Sequence, residues 1–280
     1  MRVLVTGSAG QLGRDVVIAC SAAGDDVVAL DRSALDVTDA AAVAQAVADA
    51  RPEAIVNCAA YTAVDACETN VALAHAVNGT AVGHLADAAQ AVGAHLVTVS
   101  TDYVFDGTLD RPYREDDEPN PASEYGRSKL AGERAAGPDA AVVRTSWVCG
   151  EHGDNMVALV LRLAAERPEL AFVDDQRGCP TFTADLAPAL RRIALERRSG
   201  IHHLTNQRAV SWYEFVREIL AEAGRDPGLV RPISTADLDP PRPAPRPANS
   251  VLDNAVWRAA GLPPLRDHAE PLAELVARLS

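Results

Sequence analysis

The chain has 280 residues, 48% of them hydrophobic, and a formal net charge of −13 at pH 7. That length and apolar share suffice for a real core in one large domain or two that share a sheet, and the surplus of carboxylates excludes a protein that tracks nucleic-acid phosphates with clustered Lys and Arg. No run approaches a membrane span without charge, and "MRVLVTG" enters strand-like sequence at once with no room for a signal peptide, so no membrane association and a cytoplasmic location are expected.

Short β-rich runs alternate with Ala-rich helical segments from the first residues onward. "RVLVT" (2–6) reads as a buried strand, "QLGRDVVIACSAAG" as a helix closed by Gly24, and "DVVALD" (26–31) as a second strand. "DAAAVAQAVADARP" predicts a helix stopped by Pro52, and "EAIVNCAA" a third strand. A long helical stretch is expected between Val71 and Val92, then the strand "HLVTVS" (95–100), a helix carrying "EYGRSK" (124–129) and the strand "AAVVRTS" (140–146). Strands that are apolar throughout and alternate with helices predict a parallel sheet covered on both faces, a doubly wound α/β (Rossmann) fold.

Beyond residue 148 the rhythm loosens, with helices expected near 155–166, 184–198 and 212–223. The expected division is residues 1–148 for a dinucleotide-binding Rossmann domain and residues 149–280 mainly for a smaller C-terminal substrate-binding lobe, with some segments returning to the sheet. Residues 237–250 carry five prolines from Pro240 to Pro247, which excludes helix or central strand. Too little chain follows to form another domain, so this segment reads as an ordered extended loop and not a linker.

"VTGSAGQLG" places Gly7, Gly10 and Gly13 between the first strand and the first helix. Glycines there let the chain turn tightly, let backbone approach a pyrophosphate and let helix pack close on strand, while the helix N-terminus favours negative charge. The spacing is GxxGxxG, and its place after a strand and before a helix is what gives it weight. The second strand ends at Asp31, where a carboxylate can accept hydrogen bonds from adenosine ribose hydroxyls, which suits NAD(H); Arg32 beside it can pair with a 2′-phosphate, which suits NADP(H). Asp36 and Val37 either line the adenine pocket or form a helix-entry loop. Small Ala59 and Ala60 after the third strand would let the cofactor cross closely.

The fourth strand ends in "STDYVFDG", bringing Ser100, Thr101, Asp102 and Tyr103 to the same carboxyl edge. Tyr125 and Lys129 are four residues apart and share one helical face. Hydride reduction of a ketone builds negative charge on its oxygen, which needs a proton donor and hydrogen bonds. Tyr125 suits the donor, Thr101 suits the carbonyl oxygen, and the Lys129 ammonium is expected to lower the phenol's pKa while donating to the nicotinamide ribose hydroxyls. Five cysteines (Cys20, Cys58, Cys67, Cys149, Cys179) show no CxxC pair or zinc spacing and read as reduced, buried, small apolar side chains; His202 and His203 read as structural.

The glycine turn, the "STD" strand end and the YxxxK helix resemble the extended short-chain dehydrogenase/reductases. More narrowly, "GxxGQLG", "NCAAYTAVDACE", "STDYVFDG", "YGRSKLAGE", "RTSWV", "DQRGCPT" and "RPANSVLD", in that order along the whole chain, resemble the dTDP-4-dehydrorhamnose reductase family. The resemblance implies NADPH- or NADH-dependent reduction of the 4-keto group of a dTDP-linked 6-deoxyhexose, giving dTDP-L-rhamnose. It places Thr101, Tyr125 and Lys129 on catalytic positions. Gly10, Gln11, Leu12, Asp31, Asp36, Val37, Ala60, Tyr61, Thr62 and Val99 fall on cofactor positions, with Tyr125 and Lys129 also facing the cofactor. Thr101, Asp102 and Trp147 fall on substrate positions.

Arg177, Arg242 and Arg246 are candidates for the nucleotide diphosphate, or ordinary surface arginines. Some members of the family have a magnesium-linked dimer built on acidic residues near Asp15 and Asp185 of this chain; two isolated aspartates are a poor hard-cation site, so no metal ligands are assigned and Mg2+ stays an open alternative. A monomer or homodimer is expected. The alternatives are another nucleotide-sugar 4-ketoreductase, an epimerase or 4,6-dehydratase of the extended family, or a non-catalytic subunit like the regulatory subunit of methionine adenosyltransferase. The dehydratases and epimerases need acid–base groups beyond the catalytic Thr; Asp102 qualifies, but no Glu follows it.

Overall fold

The computed structural model describes residues 1–279. The chain runs β1 (Arg2–Thr6), α1 (Gln11–Ala22), β2 (Asp26–Leu30), α2 (Ala40–Ala50), β3 (Ala54–Asn57), a short α3 (Val64–Cys67), α4 (Val71–His75), α5 (Ala81–Val92), β4 (His95–Thr101), α6 (Glu124–Ala135) and β5 (Ala141–Thr145). The remainder forms β6 (Val148–Cys149), α7 (Met156–Glu166), β7 (Leu170–Val173), β8 (Arg177–Gly178), β9 (Thr181–Phe182), α8 (Thr183–Glu196), β10 (Gly200–His203), β11 (Val210–Ser211), α9 (Trp212–Glu222), β12 (Val230–Ile233), α10 (Ala255–Ala259) and α11 (Ala269–Leu279).

Six strands form one parallel sheet in the order β10-β5-β4-β3-β1-β2. Side chains of successive strand residues point to opposite faces, and both faces are apolar. Val3 and Val5 pack with Val16, Leu186 and Leu190 on the α1–α8 side, while Leu4 and Ile55 pack with Val43, Val47 and Leu85 on the α2–α5 side. This double burial is why the strands read as continuous apolar runs and not as alternating ones. From β1 the chain turns outward to β2 and then crosses back to β3 on β1's other side, so the order reverses between β1 and β3. A crevice opens there at the carboxyl edge.

Local signals set the element ends. Asp39 caps α2 by accepting from the backbone N–H groups of Ala41 and Ala42, and Arg51 in the left-handed region ends it before Pro52. Ser123 caps α6 by accepting from Gly126 N at 3.2 Å. The helix expected from Val71 to Val92 is interrupted: Ala76–Thr80 form a π-helical turn between α4 and α5. Four of the five cysteines are buried, and all are free thiols. No helix among the described residues is long and apolar enough to cross a membrane.

Past β5 the chain builds a second apolar cluster from Val157, Phe182, Phe215, Ile219 and Leu275. It also returns twice to the large sheet, through α8 on the α1 side and β10 at the edge beside β5. His203 lies in β10, fully buried, with Nδ1 3.1 Å from the Tyr113 carbonyl, and burial holds the ring neutral by pushing its pKa down to about 3. The proline-rich stretch is an ordered loop: Ala244 N and the Arg246 guanidinium both donate to Asp65 of α3, and Asn249 N donates to the Gly107 carbonyl.

Candidate active site

At the β1–β3 switch a cleft of about 280 Å³ is lined by Gly7, Gly10, Asp31, Asp36, Val37, Ala60 and Tyr61, together with Ala9, Arg32, Ala59, Leu73 and Val77. Gly7 has φ +65°, and a Cβ there would lie 2.6 Å from Ala59 N; a Cβ on Gly13 would lie 2.2 Å from the Gly7 carbonyl oxygen. These two glycines bring β1, β3 and α1 to backbone contact, and the first turn of α1 leaves N–H groups facing the cleft without helical partners. Gly10 meets only the Gly7 oxygen at 3.2 Å, so its surroundings stay open for an anion. The cradle, its free N–H groups and a carboxylate at the end of β2 fit a dinucleotide.

Asp31 uses Oδ1 to accept from Ser33 N, Ser33 Oγ and Ala34 N, which holds its carboxyl below the usual range and leaves Oδ2 for a ribose. Asp36 closes a similar turn on Thr38. Other expected cofactor residues stand back from this cleft. Leu12 belongs to the core, Thr62 is exposed, Gln11 donates its side-chain amide to the Val148 carbonyl at 2.9 Å, and Val99 contributes a carbonyl to Lys129.

Along the same edge β4 delivers Thr101 and Asp102, and α6 delivers Tyr125 and Lys129. All four are buried. Gly126 makes this possible, since a Cβ on it would lie 2.1 Å from the Tyr103 carbonyl oxygen; the first turn of α6 therefore lies against the turn that follows β4. Gly132 lies equally close to the Asn78 carbonyl oxygen. Interior glycines weaken a helix by about 1 kcal/mol each, and here they permit the approach that places the phenol beside Thr101.

The electrostatics differ from the expectation for Tyr125. Its pKa is pushed up, mainly by burial, with the Thr101 hydrogen bond opposing the shift and the Asp102 charge adding to it. Lys129 does not offset this, because its ammonium donates to the Val99 carbonyl at 2.7 Å. Burial, only partly countered by the Glu133 charge, pushes the Lys129 pKa down to about 8. The phenol is thus fully protonated at neutral pH, the form a proton donor needs. Asp102 is also moved, up to about 6 by burial, with Ser250 and Thr101 opposing. Thr101 Oγ1 donates to Asp102 Oδ1 at 2.9 Å, whereas the Ser250 hydroxyl donates to the Arg177 carbonyl, leaving Asp102 Oδ2 without a hydrogen-bond partner.

Buried polar atoms without partners are uncommon, and strain, a catalytic role, an ordered water or a bound ion accounts for them. Gln11 Oε1, Thr145 Oγ1, Thr183 Oγ1 and His202 Nδ1 share this state with Asp102 Oδ2. Thr145 stands opposite Thr101 in the β4–β5 register, and Gln11 and Thr183 both flank Gly150.

Two supports behind the site escaped the sequence reading. Asn78, in the π turn, accepts from Tyr61 N at 2.8 Å and donates to the Tyr61 carbonyl and to Ser128 Oγ, so one side chain ties the segment after β3 to the turn between Tyr125 and Lys129. An Asn–Gly pair inside an Ala-rich helical run was the available signal, because it conflicts with local propensity, and π turns concentrate at functional sites. Glu133, one turn beyond Lys129, accepts from Ser100 Oγ and pairs with Arg144 through two parallel hydrogen bonds, with side-chain exposures of 5% and 1%. This pins α6 to β4 and β5.

Of the candidate arginines, Arg246 is engaged by Asp65 and the Ala244 carbonyl, Arg177 pairs with Glu214 at 3.2 Å, and Arg242 is exposed. Trp147, two residues past β5, is half-buried against Trp212. Asp185 is bound by Arg266 at 2.7 Å and Asn206 at 2.6 Å, and no group of three His, Cys, Asp or Glu side chains suited to a metal forms among the described residues.

A family model for the RmlD substrate binding domain matches residues 1–280. The chain is 48% identical over 282 residues to the dTDP-4-dehydrorhamnose reductase of Streptomyces griseus, covering 98% of this chain and 92% of that protein. Among solved structures it is similar to a dTDP-4-dehydrorhamnose reductase from Clostridium acetobutylicum, with a TM-score of 0.96, 39% identity and coverage of 100% of this chain and 99% of that one. It is also similar to the Bacillus anthracis dTDP-4-dehydrorhamnose reductase in complex with NADP, with a TM-score of 0.94, 36% identity and coverage of 99% and 98%.

Proposed function

Since the chain belongs to the family described by the RmlD substrate binding domain, we propose that it reduces the 4-keto group of dTDP-4-dehydro-6-deoxy-L-mannose to give dTDP-L-rhamnose, using NADPH or NADH. The observation that carries this reading is the placement of a buried, protonated phenol, Tyr125, against Thr101 on the sheet edge that also holds the glycine cradle. Asp31 and Arg32, side by side on the cleft, support use of both cofactors.

When bound, the reduced nicotinamide supplies hydride to C4 of the sugar. Tyr125 gives its proton to the ketone oxygen as charge develops there, and the Lys129 ammonium, anchored on the Val99 carbonyl, would donate to the nicotinamide ribose hydroxyls. Asp102, ionised, takes the Thr101 hydroxyl proton as a hydrogen bond, so the Thr101 oxygen faces Tyr125 as an acceptor and orients the phenol. A dehydratase or epimerase requires a further acid–base group, and the residue after Asp102 is Tyr103, with its phenol pushed up to about 12 by burial.

The test is to mix the protein with dTDP-4-dehydro-6-deoxy-L-mannose and follow NADPH and NADH absorbance separately. The reading requires oxidation of at least one cofactor that depends on the sugar nucleotide; no oxidation of either sinks it. A pH profile follows from the same groups, because kcat/KM reports the free enzyme. Asp102 carries its charge above about 6 and Lys129 keeps its charge below about 8. The rate therefore peaks between those values, falling on the acid side as Asp102 gains a proton and on the alkaline side as Lys129 loses one. Asp102→Asn removes the acid limb; an acid limb unchanged in that variant assigns it to another group.

A further inference from the structure

Lys129 is the only lysine in a chain that carries 25 arginines. The difference is chemical: a guanidinium stays charged wherever it is placed, whereas an ammonium is a compact point charge that gives up its proton readily when buried. Lys129 is 5% exposed, and burial brings its pKa down to about 8. Its charge therefore depends on what lies beside it.

Nζ donates to the Val99 carbonyl at 2.7 Å, a partner without charge. Among the described residues, the groups whose charge bears on the ammonium are Glu133 and Cys58, and burial pushes the Cys58 thiol up to about 12, so it stays neutral. The other titratable groups around α6 are turned elsewhere. Asp102, Tyr103 and Cys67 act on the Tyr125 phenol, and Asp65 of α3 is taken by Arg246. His75 of α4 faces Glu124 at 3.5 Å, His84 of α5 faces the Val37 carbonyl, and the π turn contributes the uncharged Asn78. That leaves Glu133, four residues past Lys129 and on the same face of α6. Arg144 of β5 binds both of its carboxylate oxygens and lies over the Phe105 ring, with the neutral His203 ring 3.5 Å away. Ser100 donates its hydroxyl to the same carboxylate. Val99 and Ser100 are consecutive in β4, so Lys129 and Glu133 fasten α6 to adjacent residues of one strand.

Resting on the reductase reading, we propose that Glu133 is a positioning residue: its buried carboxylate, clamped by Ser100 and Arg144, keeps the Lys129 amine charged and fixed on β4 for the nicotinamide ribose. An opposite charge one helical turn away favours the ionised form of a buried amine. Arg144 reaches the carboxylate from β5 and holds it in place, and its own charge does not bear on the ammonium. Glu133 does not line the cofactor cleft, so its effect on the reaction is carried by Lys129.

A single lysine makes the test direct, because isotopically labelled lysine gives this protein one set of side-chain NMR signals, all from Lys129. The unaltered protein is compared with Glu133→Gln and with Glu133→Gln combined with Arg144→Met. The double variant removes the buried pair as a unit, and it decides if the single variant, which leaves Arg144 buried without its partner, does not fold. In the unaltered protein the signal titrates at about pH 8. Both variants are expected to titrate about one pH unit lower, the low end of what a neighbouring opposite charge is worth. With the sugar nucleotide, kcat/KM at about pH 8 then falls about fivefold and near neutrality by less than about twofold, as a midpoint lowered by one unit requires. A Lys129 midpoint equal to or above that of the unaltered protein, in whichever variant folds, overturns the proposal. So does an equal fractional loss of kcat/KM at every pH, which marks Glu133 as a support of the fold alone. The lysine signal does not depend on turnover, so a keto sugar left unreduced by the unaltered protein removes the reductase reading while the titration still judges Glu133.

Discussion

Replacing Tyr125 by Phe lowers kcat by about 10²–10⁴, the usual worth of a positioned proton donor, while NADPH binding stays near its unaltered value. The fold tolerates the change because the ring, not the hydroxyl, does the packing. Tyr125 meets Tyr103 edge-on at 5.5 Å and lies with Cys67 and Ala74 in a small apolar cluster. Its hydroxyl has Thr101 as its hydrogen-bonding neighbour, and Thr101 keeps its own bond to Asp102 when the phenol is gone. NADPH binding is spared because the dinucleotide cradle is built from β1, α1 and the ends of β2 and β3, away from the Tyr125 hydroxyl. Rapid-mixing kinetics and calorimetry with NADPH measure the two arms. Full turnover in the variant would remove Tyr125 as the donor, and loss of NADPH binding would show that its hydroxyl serves the cofactor first.

Gly13→Ala is expected to raise the NADPH dissociation constant about 100-fold, or about 2.7 kcal/mol. The new methyl would sit 2.2 Å from the Gly7 carbonyl oxygen and 2.9 Å from Ser8 Cα. Backbone atoms cannot rotate away as a side-chain end can, so α1 must move off the β1 turn, which is the cost range of overpacking, about 1–3 kcal/mol. That shift carries the helix N-terminus away from the pyrophosphate. Gly24→Ala is the control. Gly24 has a left-handed φ of +79°, and a Cβ there meets nothing within 4 Å, so the variant loses stability without losing NADPH affinity. Equal NADPH affinity in the Gly13 and unaltered proteins would contradict the close-packing account of the cradle.

Much of the Rossmann half was legible in the chain. Strands β1, β3, β4 and β5 are buried on both faces, so each declares itself as an apolar run, and the helices α1 and α2 end at Gly24 and Pro52, residues with local stop chemistry. The glycine turn and the Tyr–Lys spacing are local patterns as well. What stayed hidden depends on distant contacts. β10 is only "GIHH", and nothing local marks it as a sheet strand until β5 lies beside it. Asn78 lies in the sequence between two helices, and its role appears only when Tyr61 and Ser128 converge on it.

The same holds for charge. The four-residue spacing placed Lys129 near Tyr125 but did not reveal that its ammonium would donate to Val99, or that burial would carry the phenol upward. Nor did it reveal Glu133 and Arg144, which form their pair only after α6 settles on adjacent strands. The proline-rich segment gave its lack of helix directly, whereas its docking on Asp65 required the fold.

The central claim is that hydride passes from the cofactor held in the glycine cradle to C4 of a keto sugar, with Tyr125 as the proton donor. It is tested most directly by supplying NADPH deuterated on the transferring face with dTDP-4-dehydro-6-deoxy-L-mannose and reading the product by mass and proton spectra. The account predicts dTDP-L-rhamnose heavier by one deuterium located at C4, with one NADPH oxidised per product. A product without deuterium at C4, or a sugar nucleotide altered without oxidation of NADPH, would contradict it.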